Sequence, residues 1–203
     1  MLDLPNIKII GLSGMSGAGK STLSKMFSQC GFSVIDCDDI ARNAAKKPEF
    51  LSEIGSRFSH DLIRPDGSLN RPEVAKLIYN DEASRDKYQR IIFPYIIYDI
   101  INNIRSISGS ESAVVLDAPT LFESKLDMIC AEIVSVCADE RICAERIAAR
   151  DNISYESAAE RLSAQHNAEF FNKYSDHVIL NDSTPQELRS RADTVINKIQ
   201  KAI

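Results

Sequence analysis

Nine residues, "GMSGAGKST" at positions 14–22, constrain this chain more than any other stretch. Gly14, Gly19, Lys20 and Ser21 satisfy G-x-x-x-x-G-K-[ST], a pattern that holds phosphate only when a strand precedes it and a helix follows. Both are predicted. "IKIIGL" (Ile7 to Leu12) is a short apolar, β-branched run of the kind buried on both faces of a sheet. Leu23, Met26, Phe27 and Cys30 then recur at helical spacing, with Gly31 placed to end the helix. The glycines let the backbone wrap until several N–H groups point inward, and the helix N-terminus adds its positive dipole end. The nucleotide-binding set is therefore Gly14, Gly17, Ala18, Gly19, Lys20, Ser21 and Thr22, with Lys20 bridging the β- and γ-phosphates and Ser21 ligating Mg²⁺. Met15 is expected outside the cradle, packed over the loop.

The rest of the chain alternates strands with helices. "FSVID" (Phe32 to Asp36), "AVVLDAP" (Ala113 to Pro119), "EIVSVC" (Glu132 to Cys137) and "HVIL" (His177 to Leu180) read as further strands. A helix is expected over 139–150, and Thr184 with Glu187 forms a capping box around Pro185 for a last helix buried through Leu188, Val195 and Ile199. Residues from about 40 to 105 show helical spacing only. Pro72 suits the first turn of one helix there, and Pro94 is read as N1 of another, with Ile97, Ile100, Ile101 and Ile104 as its buried stripe. This pattern implies a parallel, doubly wound α/β sheet whose ligands sit beyond the C-terminal strand ends.

Three candidate sites fall at those strand ends: Gly14 to Thr22, Asp36 to Asp39, and Asp117 to Glu123. Asp36, Asp38 and Asp39 follow the second strand, where carboxylates repel one another unless a metal, a hydroxyl or arginines intervene. One of these carboxylates should face the phosphate and could accept a proton from an attacking hydroxyl, while Asp39 starts a helix. Asp117 ends an apolar strand, placed either to hold Mg²⁺, directly or through water, or to order the loop that follows. Arg146, Arg150 and Arg161 are read as phosphate clamps on a mobile lid, and Arg141 as a solvated helix position. The net charge of -5 argues against nucleic-acid binding. No run approaches the ~20 apolar residues of a membrane span, and the start lacks a secretory signal, so a cytoplasmic location is expected. The five cysteines form no C-x-x-C pair and are expected as buried free thiols. His60, His166 and His177 show no ligand spacing and are assigned to surface or core roles.

Taken in order, these pieces resemble the dephospho-CoA kinase family. "IIGLSGMSGAGKST" is similar to its opening, "VIDCDDIAR" to its V-I-D-x-D-x-I-A-R signature, "DGSLNRPEV" to D-G-x-L-x-R and "LDAPTLFE" to D-x-P-L-L-F-E. "ERIAARD" with "RLSAQ" resembles its lid, and "DHVILND" the segment before the final helix. The resemblance implies a P-loop NTPase fold like that of nucleoside monophosphate kinases: a five-stranded parallel sheet flanked by helices, with a helical substrate lobe and a lid. In this chain that gives one domain over 1–203, with core 1–39 and 111–203, a helical CoA-binding insertion at about 40–110 and a lid at about 146–170. It implies Mg²⁺·ATP as donor and the ribose 3′-hydroxyl of dephospho-CoA as acceptor. Asp38, Lys20, Arg146 and Arg150 would be catalytic. Arg150 and Asn181 would join the ATP site, and Asp38, Leu69, Arg71, Pro119, Leu121, Phe122, Arg161 and Gln165 the substrate side. Departures are Met15 for a glycine, Thr120 for a leucine, and Phe93 for the histidine of H-P-x-I, which loses either a hydrogen bond to the substrate or a helix cap worth about 1 kcal/mol and is the feature that favours another acceptor. The rival readings are a related nucleoside or nucleotide kinase with another acceptor, and a non-catalytic CoA-binding paralogue.

Overall fold

The structure, a computed structural model, describes residues 6–58 and 60–203, the side chains of residues 60, 79 and 80 excepted. His60 therefore lies outside the described side chains. The elements in chain order are β1 (Lys8–Gly14), α1 (Lys20–Gln29), β2 (Ser33–Asp36), α2 (Cys37–Ala44), α3 (Pro48–Arg57), α4 (Arg71–Asn80), α5 (Glu82–Ile107), β3 (Ala113–Asp117), β4 (Glu132–Cys137), α6 (Glu140–Asp151), α7 (Tyr155–Ser163), α8 (Ala168–Tyr174), β5 (His177–Leu180) and α9 (Pro185–Gln200). The chain forms two compact units, one of residues up to Ile35 with Ile107–Ile203 and one of Asp36–Ser106.

The first unit is built on a five-stranded sheet ordered β2-β3-β1-β4-β5, and β1 pairs in parallel with both β3 and β4. The strand order departs from β1 in opposite directions, so the crevice at its C-terminal end is the switch point where an α/β sheet binds ligands. Register decides what meets there. Leu12 lies opposite Asp117 and Gly14 opposite Val136, so the 14–22 loop emerges between the ends of β3 and β4. A ten-residue helix such as α1 is marginal alone. Its stability comes from Leu23 and Phe27, both fully buried, each contributing about 1.5–3 kcal/mol on burial. Phe27 also meets Phe32 edge-on at 5.4 Å. This packing fixes the start of α1, and with it the loop. α9 carries the expected capping box, and its buried face runs through Leu188, Ala192, Ile196 and Ile199, with Val195 only half-buried.

The second unit is helical, with one isolated antiparallel bridge, Ile63 to Leu69, as its extended pairing among the described residues. Pro72 sits in the first turn of α4 as expected. Pro94 does not start a helix. It lies inside the 26-residue α5, whose N-terminus is set by Asp81 accepting from the N–H groups of Ala83 (3.2 Å) and Ser84 (3.1 Å). A proline in a helix interior costs about 3 kcal/mol. Ile91, Ile92, Ile96, Ile100, Ile101 and Ile104 are all buried, and at about 1.5–3 kcal/mol each they outweigh that cost several-fold. Pro94 itself faces solvent, and Ile97 is half-buried, with Ile96 in the core instead. Position 93 is consequently mid-helix, where no cap exists to be lost.

Candidate functional site

The 14–22 loop is pinned from behind. Gly17 has φ +78° and Gly19 φ +105°, and a Cβ at either would stand 2.5 Å from Cys143 O or from Asn181 Nδ2 respectively. Only glycine satisfies both the left-handed backbone and the close approach. Behind the loop, Asn181 Nδ2 donates to Ala18 O at 2.6 Å, and Arg146 donates to Gly17 O and to Asn181 O, both at 3.3 Å. With those carbonyls engaged at the rear, the N–H groups of Gly17, Gly19, Lys20 and Ser21 donate to no protein acceptor among the described residues. Four unpaired amides at a helix N-terminus form an anion cradle.

Lys20 Nζ is ion-paired with Asp117 Oδ1, and both side chains are largely buried. The pair joins the start of α1 to the end of β3, two candidate groups far apart in sequence. Ser21 and Thr22 are exposed on the first turn of α1. The Ser21 hydroxyl and the Asp117 carboxylate are hard oxygen donors suited to Mg²⁺, which binds proteins through one or two such groups and completes its shell with phosphate and water. Met15 is buried, its side chain part of the core rather than of the cradle.

The arginines divide. Arg146 serves the loop from behind, as above. Arg150 makes a two-point contact with Asp151, Nε to Oδ1 at 2.7 Å and Nη2 to Oδ2 at 3.0 Å, and Arg161 reaches the same Oδ2 at 3.3 Å. The hydrogen bond from Arg150 holds the Asp151 carboxyl below the usual range and raises Arg150 in turn. Asp151 thus gathers two exposed guanidinium groups at the α6–α7 junction. Beside them, Met15, Arg141, Tyr155, Leu162, Gln165 and Phe170 line a hollow of about 830 Å³.

The "DAPTLFE" segment does not act as one surface. Leu121 is fully buried, and a Cβ on Gly11 would lie 2.8 Å from its Cδ2, so Leu121 anchors the segment under β1 instead of facing a ligand. Pro119 and Phe122 are half-buried. Phe122 joins an aromatic cluster with Phe170 at 5.0 Å and Phe171 at 6.0 Å, and His166 stacks on Phe170 at 3.5 Å.

In the second unit, Asp36 caps α2 by accepting from the Asp39 N–H at 2.9 Å, which leaves Asp38 and Asp39 in the first turn. Asp38, Leu69 and Arg71 come together around a hollow of about 330 Å³. Arg42 and Tyr88, which motif spacing did not single out, line it too. Arg42 is one turn beyond Asp38 and could have been found from the i, i+4 relation. Tyr88 lies on α5, and only the packing of α5 on α2 and α4 brings it there.

Similarity to known proteins supplies the family. The family model for dephospho-CoA kinase matches residues 8–187. A dephospho-CoA kinase from Bacillus cereus is 33% identical over 193 residues, covering 94% of this chain and 96% of that protein. One from Listeria monocytogenes is 32% identical over 196 residues, covering 96% and 98%. The structure of dephospho-CoA kinase from Campylobacter jejuni superposes with TM-score 0.71 at 23% identity, covering 96% of this chain and 98% of that one, which bears on the fold alone. A family model spanning most of the chain, with relatives above 30% identity over nearly its full length, places it: the chain belongs to the dephospho-CoA kinase family.

Proposed function

We propose that this chain transfers the γ-phosphoryl group of ATP to the ribose 3′-hydroxyl of dephospho-CoA, giving ADP and coenzyme A. The observation that carries the donor half is the set of unpaired amides at Gly17, Gly19, Lys20 and Ser21, held open by Asn181 and Arg146. These amides and Lys20 bind the β- and γ-phosphates, Lys20 exchanging its contact with Asp117 for phosphate oxygen. Ser21, and Asp117 once freed from Lys20, would hold Mg²⁺, which would supply charge neutralisation to the transferring phosphates.

Asp38 accepts the proton of the 3′-hydroxyl as its oxygen bonds to the γ-phosphorus and the bond to the β–γ bridging oxygen breaks. Arg150 and Arg161 move from Asp151 to the transferring phosphoryl oxygens, where bidentate guanidinium contacts match a charge spread over three oxygens. Arg146 keeps the cradle in shape. Gln165 and Phe122 belong to the acceptor side. The enzyme works in the cytoplasm, where its ATP is.

The rival acceptor reading drew on Phe93 in place of a histidine that could hydrogen-bond the substrate or cap a helix, and position 93 is mid-helix, which removes the capping half of that argument. The test is an acceptor panel with Asp38→Asn beside the wild type. Wild type should phosphorylate dephospho-CoA at the 3′-position and Asp38→Asn should lose at least about 10²-fold in kcat. Phosphorylation of a nucleoside with none of dephospho-CoA would overturn the acceptor, and full activity in Asp38→Asn would remove Asp38 as the base.

A further inference from the structure

The hollow in the second unit is assembled by three helices, each showing it one face. Asp38, Ala41 and Arg42 on α2 and its C-cap Ala45 are spaced i, i+3, i+4, i+7, and Arg71, Val74, Ala75 and Ile78 repeat that spacing on α4. Tyr88 and Ile92 enter from α5. Most of its lining is apolar, and its polar lining residues are Asp38, Arg42, Arg71 and Tyr88. Arg42 is already engaged by Asp39 at 3.3 Å and approaches Asp36 at 4.0 Å. Arg71 has no carboxylate partner among the described residues.

Tyr88 is held firmly. Its ring meets Phe50, a fully buried residue, edge-on at 6.0 Å and 89°. Burial pushes its phenol up to about 12 while nearby Arg71 opposes the rise, so the group is a neutral O–H donor at any physiological pH. A fixed phenol and a guanidinium with no carboxylate partner among the described residues are both donors. What fits between two donors, in a mostly apolar lining that also holds a carboxylate, is an oxyanion attached to a body with apolar surface.

We propose that Tyr88 is a specificity residue of the acceptor site, its hydroxyl and the Arg71 guanidinium together binding the 5′-phosphate oxygens of the acceptor nucleotide. This rests on the functional reading above, in which Asp38 receives the acceptor hydroxyl. Tyr88 makes no contact with reacting atoms. Its contribution is to acceptor affinity and to discrimination in favour of nucleotides carrying a 5′-phosphoester over bare nucleosides.

Tyr88→Phe removes the hydroxyl and keeps the ring on Phe50. The measurements are KM and kcat for dephospho-CoA, KM for ATP, and the inhibition constant of adenosine, which offers the same base and ribose without phosphate, as a competitor of dephospho-CoA. The expected result is a KM for dephospho-CoA raised about tenfold, as for a lost hydrogen bond to a charged group. The adenosine inhibition constant, the ATP KM and kcat should each stay within about twofold, and the thermal midpoint should be unchanged. An unaltered KM for dephospho-CoA overturns the proposal, and so does an equal loss for adenosine, which would make Tyr88 a support of the lobe or a contact of the base. Wild type inactive on dephospho-CoA but active on another acceptor overturns the functional reading and this inference together, an outcome distinct from failure of the Tyr88 variant alone.

Discussion

Asn181 is the side chain on which the shape of the phosphate cradle depends most directly. It is buried, its Nδ2 donates to Ala18 O at 2.6 Å, its N–H donates to Cys137 O at 2.8 Å and its own carbonyl accepts from Arg146. Asn181→Ala deletes the first bond and keeps the two backbone ones. Ala18 is fully buried, so its carbonyl would be left without protein or solvent partner, a cost of about 1–3 kcal/mol. At about 2–4 °C per kcal/mol for a chain of this size, a loss of about 2 kcal/mol lowers the thermal midpoint by about 4–8 °C. The same truncation frees the space beside Gly19, whose missing Cβ would stand 2.5 Å from Nδ2, so the loop samples shapes that do not bind phosphate. ATP binding must then restore the cradle, and KM for ATP should rise about 5- to 30-fold for the ~1–2 kcal/mol falling on the loop. KM for dephospho-CoA should stay within about twofold. Asn181→Asp is the sharper variant, since it turns an acceptor toward the Ala18 carbonyl and should be less stable than Asn181→Ala. Steady-state kinetics with each substrate and a melting curve decide the matter. An unchanged midpoint and an unchanged KM for ATP in Asn181→Ala would refute the reasoning, as would an Asn181→Asp variant as stable as wild type.

Other consequences are equally direct. Lys20→Met leaves the largely buried Asp117 carboxylate without its partner, so kcat should fall about 10²- to 10³-fold and the thermal midpoint should drop, whereas Lys20→Met with Asp117→Asn should recover the midpoint and not the rate. Pro94→Ala restores the hydrogen bond from residue 94 to the Arg90 carbonyl inside α5; with about 3 kcal/mol regained and up to about 1 returned to the unfolded chain, the midpoint should rise by several degrees, and a fall would contradict the packing argument. At the N-terminal ends of β1, β4 and β5, Glu132 accepts from Lys8 at 2.6 Å and meets His177 at 2.9 Å, and the Lys8 hydrogen bond chiefly lowers its pKa from 4.5. A carboxyl depressed on folding adds stability that is complete above its unfolded value and is lost as pH falls through the lower folded one. The gap in melting temperature between wild type and Glu132→Gln should therefore narrow as pH drops below about 4, and a gap independent of pH would refute it.

The parts of the fold that are legible in sequence are those whose cause is local. β4 and β5 begin and end where their apolar runs do, Gly31 follows α1 with φ +89°, and the Thr184–Glu187 capping box forms as its spacing requires. Pro94 misleads because its local preference is real and is outweighed by isoleucines that the sequence shows but whose burial it does not. Leu121 misleads for the same reason in reverse. Its place in a ligand-side motif suggests contact with substrate, and its burial under Gly11 follows from the β1–β3 pairing, a contact between segments over 100 residues apart.

Arginines pose a different difficulty, because a pattern reports a side chain's type and not what its donors are spent on. Arg146, Arg150 and Arg161 read alike as phosphate clamps. Arg146 is part-buried and spends its guanidinium on two backbone carbonyls, Gly17 O and Asn181 O. Withdrawing it to grip a phosphate would leave both carbonyls unpaired and loosen the cradle it was meant to serve. Arg150 and Arg161 instead share the exposed Asp151, a contact that solvent screens and that contributes little to stability. Moving them to a phosphate costs the fold almost nothing, while Asp151 keeps both charges in reach and stops them repelling each other apart. The groups free to follow the phosphoryl transfer are those whose resting partner is an exposed carboxylate, and the group bound to backbone is the one that must stay.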